Sequence, residues 1–175
     1  EVVSKLALKL HYFQNSVEQI EAWNASANWM HQLATLVADS HPESTLTFEF
    51  EIPLSTERPD MIIVGRDHVL VIEAKTGSHE SVSEAKKQTL RYARSIYNYI
   101  NTGQEKTIVP VLLRQTGKGK ISIPERNATP LLDSVLDISP SQLHTLMNLI
   151  TPALSAGDCN PQEWLYNPRP TIIDA

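Results

Sequence analysis

The stretch of sequence that decides the fold runs from Arg58 to Lys75 and reads RPDMIIVGRDHVLVIEAK. Residues 61–64 and 69–72 within it are apolar at every position, which is typical of β-strands covered on both faces. Residues 65–68 between them have the composition of a turn. The pattern therefore predicts a buried β-hairpin with charged residues at its open end.

Alternation along the two strands places three of these charged residues on one face. A turn centred between Arg66 and Asp67 pairs Asp60 directly with Glu73, and Lys75 follows on the same face. Directly opposed side chains have Cβ atoms roughly 5 Å apart, so two carboxylates in this position repel each other. A divalent cation held by both carboxylates would turn the repulsion into attraction, and Lys75 could then act on whatever the cation binds.

Composition indicates one globular domain. The chain has 175 residues, of which 41% are hydrophobic, and this length allows a sizeable core. No apolar run approaches the roughly 20 residues of a membrane span, so we expect a soluble protein with no membrane partner. Cys159 is the only cysteine, which excludes an internal disulfide or a Cys-rich zinc site and fits a cytoplasmic location.

The formal net charge of −5 argues against binding nucleic acid through bulk electrostatics. Any contact with nucleic acid has to be local, and basic residues cluster at two places in the sequence. These are Lys86, Lys87, Arg91 and Arg94 in a predicted helix, and Arg114, Lys118, Lys120 and Arg126 in a predicted loop region. A solvated surface is the simpler interpretation of any one of these residues alone.

The remaining elements follow from hydrophobic periodicity. The predicted helices span 16–39, 81–101 and 140 to about 156, and the further predicted strands span 46–52, 108–113 and 135–138. In the first of these strands the apolar residues alternate with polar ones, so Leu46, Phe48, Phe50 and Ile52 are expected on one face. The order α-β-β-β-α-β, followed by β and α, predicts an α/β fold.

This order of elements, together with Pro59-Asp60 and Glu73-Ala74-Lys75, resembles the PD-(D/E)XK nuclease superfamily. The Gln88-Thr89-Leu90-Arg91-Tyr92 segment matches the Gln-x-x-x-Tyr motif of its RecB-type branch. Gln88 and Tyr92 are four residues apart and hence neighbours on one helical face. The resemblance implies a restriction-endonuclease-like core, with a central mixed sheet flanked by helices.

A narrower resemblance connects the chain with the amino-terminal region of Schlafen-group-3-like DNA/RNA helicases. It is carried by Glu51-Ile52-Pro53, by the two motifs of the hairpin, and loosely by residues 164–175. It implies a nuclease-like domain at 1–158 and a Pro-rich linker at 159–175 that leads to a helicase domain outside this sequence. No phosphate-loop motif for ATP is present. A role in DNA processing or in defence against foreign DNA is what this resemblance suggests.

The superfamily resemblance also implies roles for individual residues. Asp60 and Glu73 would hold Mg²⁺ or Mn²⁺ with the backbone carbonyl of Ala74, and Lys75 would orient the nucleophile or stabilise the charged phosphate. Glu51 is the expected extra ligand, reached directly or through water.

Further residues are assigned by the same resemblance. A catalytic role falls to Gln88, and contact with the nucleic-acid substrate, DNA in preference to RNA, falls to Arg58, Arg91 and Tyr92. An acid from the first helix often assists in this superfamily, and Glu18 and Glu21 are both candidates.

Two other classes of function compete with a nuclease. The first is a binding module that keeps the nuclease fold without cleavage and serves an adjoining helicase or another partner. The acidic net charge favours it, whereas the complete set of Asp60, Glu73 and Lys75 argues against it. The second is an unrelated enzyme with paired carboxylates, such as a glycosidase, which has no need of Lys75.

Overall fold

The computed structural model has an α/β architecture built on a five-stranded mixed sheet. The structure describes residues 17–52, 55–77, 81–100, 106–125 and 129–150. The helices are α1 (Val17–Ser40), α2 (Val82–Tyr99) and the short α3 (Leu143–Asn148), which a 3₁₀ turn (Pro140–Gln142) precedes. The strands are β1 (Thr45–Phe48), β2 (Met61–Val64), β3 (His68–Lys75), β4 (Thr107–Arg114) and β5 (Leu136–Ile138). The predicted α/β class is therefore confirmed.

The strands lie in chain order across the sheet, and the central hairpin has the predicted register. Met61 pairs with Ile72 and Val64 with Val69, so the next pair outward is Asp60 and Glu73. β1 is antiparallel to β2, whereas β4 and β5 are parallel to β3. The parallel half needs crossover connections, and α2 provides the one between β3 and β4.

Each face of the sheet has its own hydrophobic core, because every residue of β2 is buried. On one face, Met61, Ile63, Leu70 and Ile72 pack with residues of α1 and α3. On the other face, alternate residues of the same strands pack under α2. These are Ile62, Val64, Val69 and Val71, together with Tyr92, Ala93 and Ile96 of the helix. By the period-two rule, Asp60, Glu73 and Lys75 belong to the α2 face.

The prediction that Leu46, Phe48, Phe50 and Ile52 share one face is wrong. Glu49 has a φ of 48°, which ends β1 at Phe48 and turns the chain. Leu46 packs against the core under α1, whereas Phe50 and Ile52 belong to the core under α2. Phe48 is left 46% exposed. A single left-handed residue thus moves the apolar positions that follow it to the other side of the sheet.

The predicted last helix is also corrected. Its start at Pro140 is right, but it begins as a 3₁₀ turn and its α-helical part ends at Asn148, before the turn at 149–150. Residues 151–156 lie outside the described residues, as does the predicted linker at 159–175. Among the described residues, no helix combines the length and apolar character needed to cross a membrane.

Candidate functional site

Asp60 lies at the open end of the hairpin, immediately before β2. Its Oδ2 accepts a hydrogen bond of 2.7 Å from the backbone N–H of Ala74, in the strand opposite. This bond ties the carboxylate to β3 at the position next to Glu73. The hairpin register thus determines which two carboxylates face each other, and the hydrogen bond keeps Asp60 turned toward β3.

Glu73 is buried, and only one of its two carboxylate oxygens has a partner. The Nζ of Lys75 lies 3.1 Å from Glu73 Oε1, while Oε2 is buried and accepts no hydrogen bond. Burial raises the pKa of Glu73 to about 7 and the nearby charge of Asp60 adds to this effect, whereas Lys75 and a hydrogen bond from the Asp60 backbone N–H lower it. A buried acceptor without a donor costs folding free energy, so this oxygen calls for an explanation.

We call Asp60, Glu73 and Lys75 the acidic cluster. Together they have two carboxylates and one ammonium group. Burial also raises the pKa of Asp60, although the Ala74 N–H and the Lys75 charge lower it. The cluster thus lacks positive charge, and it has an unpartnered oxygen at the same place. Oxygen ligands of this kind suit a hard divalent cation such as Mg²⁺ or Mn²⁺, so the residues present fit the group that the sequence predicted.

Helix α2 carries the second predicted motif on the same face of the sheet as the acidic cluster. Gln88 Nε2 donates a hydrogen bond of 2.7 Å to the hydroxyl of Tyr92, and Gln88 Oε1 is buried without a partner. Burial raises the pKa of Tyr92; the hydrogen bond from Gln88 lowers it, and the charge of Glu73 raises it further. Tyr92 is therefore within electrostatic reach of the cluster, and Gln88 presents a second unpartnered acceptor on the same face.

Three predicted residues are engaged with other partners. Glu51 is exposed and accepts a hydrogen bond of 2.7 Å from Arg58, which is exposed as well. Arg91 donates to Glu57 at 2.7 Å, and its guanidinium lies 5.6 Å from the centre of the Tyr92 ring. Glu51 and Arg58 thus neutralise each other at the surface, while Arg91 borders the cluster through Tyr92.

The two acids predicted from the first helix are not brought to the cluster by any described contact. Glu21 is exposed on α1, whose buried residues pack against the face of the sheet opposite to Asp60 and Glu73. Glu18 lies in the same helix, and its side chain is outside the described part of the structure. The role of Glu18 stays a prediction.

Glu49 is the acidic residue that sequence reasoning missed. It follows Phe48, which pairs with Met61, so it comes next to Asp60, and its N–H donates to the Asp60 carbonyl at 3.1 Å. Partial burial raises the pKa of Glu49, the charge of Asp60 raises it further, and the charge of Arg58 lowers it. The register between β1 and β2 was the signal that could have found it, but the length of the connection hides that register in the sequence.

The described residues hold no group of three or more His, Cys, Asp and Glu side chains arranged to bind a metal ion. Asp60 and Glu73 are a pair of side chains, to which the predicted ligation by the Ala74 carbonyl would add one backbone oxygen. Comparison of the chain with protein-family models, with curated proteins and with solved structures found no match.

Proposed function

We propose that this chain is a metal-dependent nuclease domain that hydrolyses phosphodiester bonds of nucleic acid, with DNA as the favoured substrate. The observation that carries the proposal is the buried, unpartnered Oε2 of Glu73, opposite Asp60 and beside Lys75. The restriction-endonuclease-like core belongs to the same proposal. It is supported by the order of elements and by the mixed sheet with helices on both faces.

In this proposal, Asp60 and Glu73 hold the divalent cation, with the Ala74 carbonyl as a further oxygen ligand. When bound, the cation supplies Lewis acidity, which lowers the pKa of a coordinated water and offsets negative charge at a phosphate. In the free protein, Lys75 forms an ion pair with Glu73. In this proposal its ammonium group stabilises negative charge on the substrate. Gln88 offers an amide oxygen to a water or a donor to a phosphate oxygen, while Tyr92 holds its amide group in place.

A role as the amino-terminal part of a helicase-nuclease is proposed on the sequence resemblance alone. A catalytically inactive binding module is the competing proposal. The two differ in one measurable respect, because an inactive module has no use for a cation between Asp60 and Glu73.

The test is cleavage of single-stranded DNA, duplex DNA and RNA with Mg²⁺ or Mn²⁺, by the wild-type chain and by Asp60→Asn and Glu73→Gln. Both substitutions keep the size of the side chain and remove one charge. Glu84→Gln on the exposed side of α2 is the matched control. We expect metal-dependent cleavage by wild type and by the control, and its loss in the two variants.

Thermal unfolding with and without Mn²⁺ gives a second measurement that does not depend on the choice of substrate. A ligand that binds only the folded state raises its stability, so wild type and Glu84→Gln should gain stability and the two site variants should not. If wild type neither cleaves any of the three substrates nor gains stability from Mn²⁺, the nuclease proposal is wrong and the binding module replaces it.

A further inference from the structure

A second charged cluster lies on the α2 face, at the carboxyl ends of β4 and β5. Arg114 of β4 binds Asp137 of β5 with two parallel hydrogen bonds, from Nε to Oδ1 at 2.6 Å and from Nη2 to Oδ2 at 2.8 Å. Lys86 of α2 adds its Nζ at 3.1 Å from the same Oδ2. Three nitrogen donors from Arg114 and Lys86 thus contact the one carboxylate of Asp137. We call these three residues the basic cluster.

The basic cluster carries two positive charges and one negative charge, within a chain whose net charge is −5. The forked contact of Arg114 with Asp137 has the geometry in which guanidinium groups bind phosphate as well as carboxylate. The side chains are within reach of solvent, since Lys86 is 41% exposed and Arg114 is 22% exposed. In the free protein, Asp137 is the anion that the two cations bind.

The loop after β4 carries exposed lysines beside the carboxyl end of β5, and close backbone contacts with β5 hold it there. A Cβ atom on Gly117 would lie 2.2 Å from the backbone of Ile138, so only glycine fits. The N–H of Gly119 donates to the Asp137 carbonyl at 2.6 Å. Lys118, between these two glycines, and Lys120, after them, are both exposed. The loop therefore presents positive charge next to the carboxyl end of β5.

Sheet register puts the basic cluster directly beside the acidic cluster. Lys75 and Arg114 are partners in the parallel pairing of β3 with β4, and paired residues share a face of the sheet. Neighbouring strands are about 4.8 Å apart. Arg114 is therefore within reach of a phosphate that neighbours one held at the acidic cluster.

We propose that Arg114 and Lys86 form a subsite for a backbone phosphate of DNA, with Lys118 and Lys120 extending its positive surface. The inference rests on the proposed function, because it takes the substrate of the acidic cluster to be a nucleic acid. Asp137 holds the two cations in place in the free protein and competes with the phosphate for them. This subsite supplies the local positive charge that an acidic domain needs to bind a polyanion.

The test is binding of a short fluorescein-labelled DNA duplex to the full chain, followed by fluorescence anisotropy in EDTA so that no cleavage occurs. Lys86→Gln removes a cation of the subsite, and Lys87→Gln removes its sequence neighbour, which pairs with Glu84 instead. We expect Lys86→Gln to weaken binding about fivefold and to lower the slope of log affinity against log salt by about one, as loss of one phosphate contact does. Lys87→Gln should change neither.

Asp137→Asn separates a phosphate subsite from a purely structural ion pair, because only the subsite predicts tighter DNA binding by this variant. Removal of the competing negative charge should tighten DNA binding about threefold or more if the cations bind phosphate. If the cluster only attaches α2 to β5, Asp137→Asn and Lys86→Gln should both weaken binding or leave it unchanged. Circular dichroism confirms that each variant is folded.

Failure of the subsite and failure of the proposed function give different results. Equal binding by Lys86→Gln and Lys87→Gln, or no binding by wild type, overturns the subsite, whether or not Asp60 and Glu73 support cleavage. Opposite shifts for Lys86→Gln and Asp137→Asn support the subsite even if wild type cleaves nothing. In that case the domain binds DNA without hydrolysing it.

Discussion

The acidic cluster and the basic cluster lie on one face of one sheet, yet their charges are balanced in opposite ways. In the acidic cluster, burial raises the pKa of Glu73 to about 7, and Lys75 offsets only part of that effect. In the basic cluster, partial burial raises the pKa of Asp137, but hydrogen bonds from Arg114 and Lys86 hold it below its ordinary value. Glu73 has one oxygen without a donor, whereas both oxygens of Asp137 have donors.

The difference shows which of the two carboxylates has a structural explanation in the free protein. Asp137 is fully partnered by two cations, so its charge stabilises the folded state. Glu73 leaves a buried oxygen without a donor, and Asp60 brings a second carboxylate toward it. An arrangement that disfavours folding and perturbs ionisation in this way is a candidate for function, and a bound cation would remove both defects.

The largest expected effect is on catalysis, and it comes from Lys75, the one positively charged side chain of the acidic cluster. Lys75→Ala should lower the cleavage rate about a hundredfold or more, because removal of one group that stabilises transition-state charge typically costs this much. The stabilisation by Mn²⁺ in thermal unfolding should persist, since the carboxylates remain. Lys87→Ala is the control. Loss of the Mn²⁺ effect in Lys75→Ala would show that this lysine mainly holds the carboxylates in place.

The next effect is on the stability of the metal-free protein and its dependence on pH. The folded state binds the Glu73 proton up to a pH of about 7, while the ordinary pKa is 4.5. Between these values the folded state holds more protons, so the contribution of Glu73 to the free energy of unfolding falls as the pH rises. Across this window it should decline by an amount on the order of 3 kcal/mol.

Urea unfolding in EDTA at a series of pH values measures this decline. Glu73→Gln cannot ionise, so it should be more stable than wild type at pH values above the window and should lose that advantage below it. Glu84→Gln, on the exposed side of α2, should follow wild type throughout. Parallel pH profiles for wild type and Glu73→Gln would contradict the assignment of a raised pKa to Glu73.

In the basic cluster the same measurement should give the opposite sign. Asp137→Asn should cost about 2 kcal/mol near neutral pH, because it removes the charge that two cations share. The pKa of Asp137 is lowered from its ordinary 3.8, so its contribution is present above that value and is lost as the pH falls below it. The deficit of Asp137→Asn should therefore shrink in acid. The exposed Asp133→Asn is the control, and a deficit that does not change with pH would argue against the ion pair as its source.

The smallest expected effect concerns the link between α2 and the acidic cluster. Tyr92→Phe removes the acceptor for Gln88 Nε2 and should cost about 1 kcal/mol of stability. Cleavage should fall only modestly, because Gln88 keeps its position on the helix. Urea unfolding and the cleavage assay measure both, with Tyr99→Phe on the same helix as the control. A large loss of cleavage at full stability would mean that the Tyr92 hydroxyl itself contacts the substrate.

The sequence by itself determined the hairpin and the pairing of Asp60 with Glu73. Two continuous apolar runs separated by a short turn predict the hairpin, and a turn centred between Arg66 and Asp67 then pairs the two carboxylates, as the observed register does. The spacing of Gln88 and Tyr92 likewise put both on one side of a helix, and their hydrogen bond is a contact within that helix.

Only the tertiary structure decided which charges meet across distant segments. Glu49 comes beside Asp60 through the register of β1 with β2, and nothing in the sequence of the connection between these strands marks that register. Arg114, Asp137 and Lys86 come from β4, β5 and α2, and parallel pairing sets their proximity through long connections that no periodicity encodes. Local patterns determine the face on which a side chain lies, whereas its neighbours on that face depend on how the elements pack.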